Sequence, residues 1–160
     1  MGLTIEDFLA AEEIKNVRYA YSAHLDSQNV DALADLFTED AVCDFGEEWG
    51  VWKGRETIKA SYTAVMGQIG SPFDALHVFT NPWITVTGAT TAHGRWYLLD
   101  LLTRQKPVTG LATRGGHDNP LLYLAIYEDD YRKVDGNWKF ACCKLHFLWP
   151  ERTHTALKHP

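Results

Sequence analysis

The strongest constraint on the fold of this chain is a change of sequence pattern near residue 70, where helical periodicity gives way to long strand-like runs. Pro72 lies at this change and prevents the preceding helix from continuing. The later runs are rich in β-branched and aromatic residues, which favour strands, and they span 77–86, 90–103, 121–134 and 138–149. Helices followed by strands in a chain of 160 residues predict one α+β domain with a long antiparallel sheet.

The first half of the chain predicts three helices and one short strand. Thr4 and Asp7 have the spacing of a capping box at the start of the first helix. The apolar stripe of this helix consists of Ile14, Val17, Tyr21 and Leu25. We predict that Asn29 caps a short second helix, that residues 41–45 form a strand and that a third helix spans 55–66.

Composition and charge exclude several classes of protein. The hydrophobic fraction of 46% and the charged fraction of 22% are those of an ordinary globular domain, and the net charge of −6 disfavours a nucleic-acid partner. Three cysteines do not make a disulfide framework and are consistent with a reducing compartment. The acidic N-terminus has no long apolar run, so we expect no signal peptide, no membrane anchor and a cytoplasmic location.

Four titratable side chains occupy positions where the apolar pattern favours nonpolar residues. Tyr21 lies on the stripe of the first helix, and Asp26 lies near the end of that helix. His77 begins a strand, and Asp100 ends the run G-R-W-Y-L-L-D. Acids, a base and a phenol held away from water are the groups that a proton-transfer pocket needs.

Each of these four residues also has an ordinary structural explanation. A tyrosine on an apolar stripe is commonly a core residue, an aspartate at a helix end is a common turn residue, and a lone histidine is more often structural. Strand alternation places His77 on one face with Phe79, and it places Asp100 on one face with Leu98 and Trp96. Taken singly, the residues leave both interpretations open.

Residues 105–120 interrupt the strand pattern. They carry three glycines and two prolines between two predicted strands. Such a stretch is consistent either with an exposed hairpin loop or with a flap over the mouth of a pocket.

Five motifs within residues 11–140 together resemble a known family. They are E-I-K-N-V-R-Y-A-Y-S-A-H-L-D in the first helix, W-K-G-R-E-T-I at the third, L-H-V-F-T-N-P, G-R-W-Y-L-L-D, and Y-E-D-D-Y-R-K-V-D-G-N-W-K-F. The combination resembles the SnoaL-like branch of the nuclear transport factor two-like superfamily. This resemblance implies an α+β cone, in which a curled mixed sheet wraps around N-terminal helices and leaves an apolar cavity open at one end.

Within this branch the pattern is most similar to bacterial bile-acid 7α-dehydratase, and more distantly to scytalone dehydratase and hexachlorocyclohexane dehydrochlorinase. The resemblance to the bile-acid enzyme implies that its catalytic residues fall on Tyr21, Asp26, His77 and Asp100. Where the bile-acid enzyme has an arginine near the end of its last strand this chain has none, and His146 and Phe147 lie at that level. We predict that the substrate-binding residues are Phe79, Trp96, Leu98 and His146.

These residues suit the removal of a proton next to a carbonyl group. We expect His77 to act as the base, Asp26 to fix its tautomer and Tyr21 to donate a hydrogen bond to the carbonyl oxygen. A protonated Asp100 would donate to the same oxygen or assist the departure of a hydroxyl group.

The resulting prediction is a dehydratase (a hydro-lyase) or a ketosteroid-type isomerase that needs no metal, nicotinamide or flavin. Its partner is a hydrophobic steroid-like or polycyclic aromatic substrate, and the resemblance implies a homodimer or homotrimer. The alternative is a non-catalytic module of the same fold that binds small molecules or serves assembly. A cavity of a few hundred cubic ångströms lined by all four groups would favour the enzyme, and a filled cone would favour the module.

Overall fold

The N-terminal pattern folds as predicted into a long helix, α1 (Ile5–Asp26). The capping box is present, because the Asp7 backbone N–H donates to the Thr4 hydroxyl at 3.1 Å and the Thr4 backbone N–H donates to the Asp7 carboxylate at 3.2 Å. Three members of the predicted stripe, Ile14, Tyr21 and Leu25, are buried. This face of α1 therefore packs into the core.

The structure, a computed structural model, describes residues 4–69, 75–102 and 121–153. The predicted loop over residues 105–120 lies outside these ranges. Three further helices are α2 (Val30–Asp35), α3 (Gly46–Trp49) and α4 (Arg55–Ile69). The strands are β1 (Phe37–Asp44), β2 (Val51–Lys53), β3 (Ala75–Gly88), β4 (Thr91–Leu102), β5 (Leu121–Val134) and β6 (Asn137–Trp149).

The described strands form one sheet in the order β2-β1-β6-β5-β4-β3. From β3 to β6, each strand pairs antiparallel with the next one along the chain. Strand β1, in contrast, pairs with β6 in parallel. The sheet is therefore mixed, as the resemblance implies, and its four long strands form the antiparallel sheet that the strand runs predict. The parallel pair joins β1 to the last strand, and local sequence patterns do not encode this pairing.

Two predicted boundaries also differ from the structure. Strand β1 begins at Phe37, not at residue 41, because the Phe37 ring is fully buried against Phe140, with 5.2 Å between the ring centroids. Helix α4 continues through Gly67 to its end at Ile69. A methyl group at Gly67 would meet nothing within 4 Å, so this glycine lies at an open helix surface and does not end the helix.

The inner face of β4 is buried in the core. Ala92, Trp96, Leu98 and Asp100 are buried at alternate positions along it, as strand alternation predicts. Gly94 lies on the same face, where an added Cβ would stand 2.8 Å from the Tyr131 ring and 3.2 Å from the indole nitrogen of Trp96. The absence of a side chain at Gly94 therefore allows Tyr131 to cross this strand.

A buried ion pair joins α1 to the sheet. The Arg18 guanidinium donates to the carboxylate of Asp129 on β5, and neither side chain is exposed to solvent. Asp129 also accepts a hydrogen bond of 2.8 Å from the Tyr131 hydroxyl. None of the described helices is both long and apolar enough to cross a membrane.

We predict that Gly94→Ala lowers the free energy of unfolding by about 1–3 kcal/mol, because the new methyl group overlaps Tyr131. Urea denaturation of the purified protein measures this change. The matched control is Gly67→Ala, which should raise the free energy of unfolding by about 0.5–1 kcal/mol through helix propensity. Equal effects of the two substitutions would contradict this account of the inner face.

Candidate active site

The end of α1 holds the start of β3 through one carboxylate. Asp26 Oδ1 lies 2.6 Å from Nδ1 of His77, and both carboxylate oxygens lie 3.3 Å from the His77 backbone nitrogen. An ionised carboxylate accepts hydrogen bonds and donates none, so the imidazole donates from Nδ1. In the neutral ring, Nε2 then keeps its lone pair and can accept a proton.

Ser22 supports the same histidine from the backbone side. Its hydroxyl donates to the His77 carbonyl oxygen at 2.6 Å. Ser22 and Asp26 are four residues apart and therefore lie on one face of α1. The sequence interpretation missed Ser22, although a polar stripe at four-residue spacing, Arg18, Ser22 and Asp26, runs beside the apolar one and was the available signal.

The charge of Asp26 interacts unfavourably with the dipole of its own helix. It is the last residue of α1, where the helix dipole disfavours a negative charge by roughly 0.3–1 kcal/mol. Its hydrogen bonds go instead to His77. The position therefore serves the contact with β3 and not the stability of α1.

Asp100 faces the other side of the imidazole. It is the register partner of His77 on the neighbouring strand, and its Oδ2 lies 3.7 Å from His77 Nε2, beyond direct hydrogen-bond length. Its Oδ1 is buried and has no hydrogen-bond partner among the described residues. Burial raises the pKa of Asp100 to about 6; the His77 charge opposes this increase and Asp26 adds to it.

A cavity of about 430 Å³ adjoins these groups. Tyr21, His77 and Asp100 line it, whereas Asp26 lies behind His77 and is not part of the wall. Three of the four predicted catalytic groups thus meet at the cavity, and the fourth holds one of them from behind. The other aromatic lining residues are Phe45, Trp49, Trp52, Tyr62, Tyr123, Tyr127 and Phe147.

The structure separates the four predicted substrate-binding residues. Leu98 lines the cavity, and the other three do not. Trp96 donates from its indole to the Tyr131 hydroxyl at 3.2 Å, and Phe79 packs on the Tyr21 ring. His146 lies between two cavity-lining positions of β6, so it faces the opposite side of the sheet.

The physical reason is that strand alternation predicts a face but not a depth. Trp96 shares the inner face with Asp100, yet four residues along a strand separate their positions by roughly 13 Å. His146 has its Nε2 2.9 Å from Glu128, which lies on the same outer face. We therefore retain Leu98 alone of the four as a proposed substrate contact.

The Tyr21 hydroxyl belongs to a cluster that the sequence interpretation did not contain. It lies 2.7 Å from the hydroxyl of Tyr62 on α4 and 3.4 Å from the hydroxyl of Tyr127 on β5. Tyr62 lies seven residues before Ile69 on the buried side of α4, so its pattern is that of an ordinary core residue. No local signal in the sequence distinguishes it from one.

Comparison with known proteins places the geometry in context. The sequence profile described as SnoaL-like domain matches residues 6–144. A putative scytalone dehydratase from Novosphingobium aromaticivorans has a TM-score of 0.75 at 24% identity, with coverage of 99% of this chain and 97% of that chain. A hexachlorocyclohexane dehydrochlorinase from Novosphingobium barchaimii has a TM-score of 0.70 at 18% identity, with coverage of 98% of each chain. At these identities the structural similarity establishes the fold alone.

We predict that Asp100→Asn gains stability relative to the wild type as pH rises. The free energy of unfolding of the variant minus that of the wild type should increase by up to about 3 kcal/mol between pH 4 and pH 8. The wild-type folded state binds the Asp100 proton more tightly than the unfolded state does, so its stability falls as pH rises from the ordinary carboxyl range through about 6. Asparagine has no such dependence. Urea denaturation across this pH range measures the effect.

The control is Asp135→Asn, the same chemical change at an exposed turn. It should follow the wild-type pH dependence. If the free energies of unfolding of Asp100→Asn and the wild type change in parallel from pH 4 to pH 8, the fold does not disfavour the charged form of Asp100. That result would contradict the prediction.

Proposed function

The chain belongs to the SnoaL-like domain family, and we propose that it is a cofactor-independent dehydratase acting next to a carbonyl group of a hydrophobic substrate. The observation that carries the proposal is the position of His77 in the cavity wall, with Asp26 on Nδ1 and Asp100 facing Nε2. A base that is oriented on one side and exposed to an apolar cavity on the other suits proton abstraction from carbon.

The proposed reaction begins at the carbon next to the carbonyl. Nε2 of His77 takes the proton, and Asp26 stabilises the imidazolium that forms. The carbon–hydrogen bond breaks, and its electrons move toward the carbonyl oxygen, to which Tyr21 donates a hydrogen bond. The charge that develops in the cavity is thereby shared between an imidazolium paired with a carboxylate and an oxygen bound by a phenol.

Elimination is completed at the neighbouring carbon. Protonated Asp100 gives its proton to the departing hydroxyl, which leaves as water while the carbon–carbon double bond forms. The imidazolium then returns its proton to Asp100 across the 3.7 Å between Nε2 and Oδ2, so no proton is gained or lost. A substrate without a leaving group would undergo a double-bond shift instead, which is the isomerase outcome.

One feature supports this choice of substrate and another supports the choice of reaction. The cavity walls consist mainly of aromatic and aliphatic side chains, which suit a steroid-like or polycyclic aromatic skeleton. The named activities of two similar proteins, a putative dehydratase and a dehydrochlorinase, are both eliminations. The substrate class is part of the proposal, as is a location in the cytoplasm.

The direct test is an assay of purified protein against a panel of β-hydroxy ketones with steroid and fused-ring skeletons. Loss of water gives a conjugated enone, which is detected by ultraviolet absorption and by a mass decrease of one water. We expect turnover by the wild type and none by His77→Gln. Tight binding of these ketones without conversion by the wild type would favour the non-catalytic module.

We predict that His77→Ala and Asp26→Asn each reduce turnover by about 100- to 10,000-fold, and that the double variant is scarcely worse than either. The two side chains are proposed to act as one unit, so their effects are not additive. Steady-state kinetics with an enone-forming substrate provide the measurement.

The chain contains a matched control, because His93 and Asp130 form a second His–Asp pair on the exposed sheet surface. His93→Ala and Asp130→Asn should leave turnover at the wild-type level. Independent, multiplying losses at His77 and Asp26 would contradict the proposed unit.

We also propose that the protein associates with itself, as a homodimer or homotrimer. Leu76, Val78 and Trp83 on the edge strand β3 are 45%, 38% and 49% exposed and point to the outer side of the sheet. Apolar residues gathered on one surface are typical of an interface.

Sedimentation velocity at micromolar concentration tests this proposal. We expect an oligomer for the wild type and a shift toward monomer for Trp83→Glu. Phe8→Glu, a change at an exposed apolar residue of α1, should leave the oligomer intact. A monomeric wild type would refute the prediction.

A further inference from the structure

Helix α1 covers the edge of the sheet at the candidate base. Strand β3 lies at the end of the strand order, so the backbone groups on one side of it have no neighbouring strand among the described ones. At His77 two side chains of α1 occupy this side. The Ser22 hydroxyl donates to the His77 carbonyl oxygen at 2.6 Å, and both carboxylate oxygens of Asp26 lie 3.3 Å from the His77 backbone nitrogen. Helix side chains therefore take the place of a further strand at this residue.

The bonds to α1 determine which kind of antiparallel pair His77 forms with Asp100. In an antiparallel strand the N–H and C=O of one residue point to the same side, so both groups of His77 point to α1 and away from β4. His77 and its register partner Asp100 therefore form a pair without backbone hydrogen bonds between them. The Cα atoms of such a pair lie about 4.5 Å apart, against about 5.5 Å in a hydrogen-bonded pair, and the side chains are closer. This arrangement favours the approach of His77 Nε2 to within 3.7 Å of Asp100 Oδ2.

Ser22 and Asp26 hold different parts of His77. Asp26 bonds the ring, with 2.6 Å to Nδ1, and its contacts with the backbone nitrogen are longer than an ordinary hydrogen bond. The 2.6 Å bond from Ser22 is the shortest of the contacts between α1 and the His77 backbone. Loss of the Ser22 hydroxyl would therefore free the backbone of His77 while its ring stays bonded to Asp26.

The direction of the Ser22 hydroxyl is unusual for a serine in a helix. Serine and threonine hydroxyls in helices commonly bond the carbonyl four residues earlier. Ser27 does so with Ala23 at 2.7 Å, and Thr63 does so with Lys59 at 2.9 Å. Ser22 bonds a different element of the fold, so its hydroxyl serves the contact with β3.

We propose that Ser22 is a positioning residue, which fixes the backbone of His77 and thereby the distance across which the imidazolium returns its proton to Asp100. The proposal deepens the proposed elimination and rests on it. Ser22 acts through His77 and is not among the residues that line the cavity. A displaced imidazole takes and returns a proton less well, whereas the cavity that binds the substrate keeps its walls. The expected effect is therefore on kcat and not on KM.

The test compares two substitutions at one position. Ser22→Ala removes the hydroxyl, and Ser22→Thr keeps it. The matched control is Ser27→Ala, which removes a hydroxyl next to the same end of α1 that bonds only within the helix region. Urea denaturation confirms that each variant is folded before the other measurements are made.

Nuclear magnetic resonance tests the geometry without turnover. In a pair without backbone hydrogen bonds the two Hα atoms face each other, so the wild type should show a strong nuclear Overhauser effect between those of His77 and Asp100. Ser22→Ala should weaken this effect and accelerate hydrogen exchange of the His77 backbone amide by about 5-fold, as expected for the loss of one ordinary hydrogen bond. Ser22→Thr and Ser27→Ala should resemble the wild type.

Steady-state kinetics with an enone-forming substrate test the consequence for turnover. Ser22→Ala should lower kcat by about 10-fold and leave KM within about 2-fold of the wild-type value. Ser22→Thr should restore most of kcat, and Ser27→Ala should match the wild type. A purely structural role of the hydroxyl would instead reduce the amount of folded protein.

Three results would overturn the proposal. They are the absence of the Hα–Hα effect in the wild type, an unchanged effect and amide exchange in Ser22→Ala, or an active wild type with equal kcat in Ser22→Ala and Ser27→Ala. The last result would leave the proposed dehydratase function intact. A wild type without dehydratase activity would refute that function, and the resonance measurements alone would then decide whether Ser22 fixes the His77 backbone.

Discussion

The buried ion pair between Arg18 and Asp129 is the interaction on which the placement of α1 depends. Two unexposed charges are costly to desolvate, and the loss of either partner leaves the other uncompensated at about 3–5 kcal/mol. The guanidinium also lies within 4.7 Å of the ring centroids of Tyr21, Phe79, Tyr127 and Phe140, so aromatic faces surround the charge where it has no hydrogen bond. Together these contacts hold the depth and rotation of α1 against the sheet.

The functional geometry follows from that rotation. Ser22 and Asp26 lie one and two helical turns beyond Arg18, and both reach the same residue of β3, His77. The same rotation points Tyr21 at the cavity. The cavity thereby acquires two different sides, one with carboxyl groups around an imidazole and one with protonated phenols. Groups whose environments differ in this way can take and give protons at separate positions.

The sequence predicted the parts of this arrangement that local patterns or the family resemblance encode. The stripe of α1 and the inner face of β4 follow from periodicity, and the pairing of Asp26 with His77 follows from the resemblance. Depth along a strand is not encoded locally, so Trp96 and Asp100 share a face but not a site. The phenol cluster joins α1, α4 and β5, and Tyr62 could not be told from a core residue before those elements were placed together.

The central claim is that Asp26 holds His77 with the proton on Nδ1, so that Nε2 is the nitrogen that accepts a proton. Nuclear magnetic resonance of protein labelled with ¹⁵N at histidine distinguishes the two tautomers by the chemical shifts of the ring nitrogens, and Asp26→Asn assigns the signal. The account predicts that the neutral His77 ring is the Nδ1–H tautomer, with a strongly deshielded proton in the bond to Asp26. A neutral ring protonated at Nε2 would contradict it, because that nitrogen could not then accept a proton from a substrate.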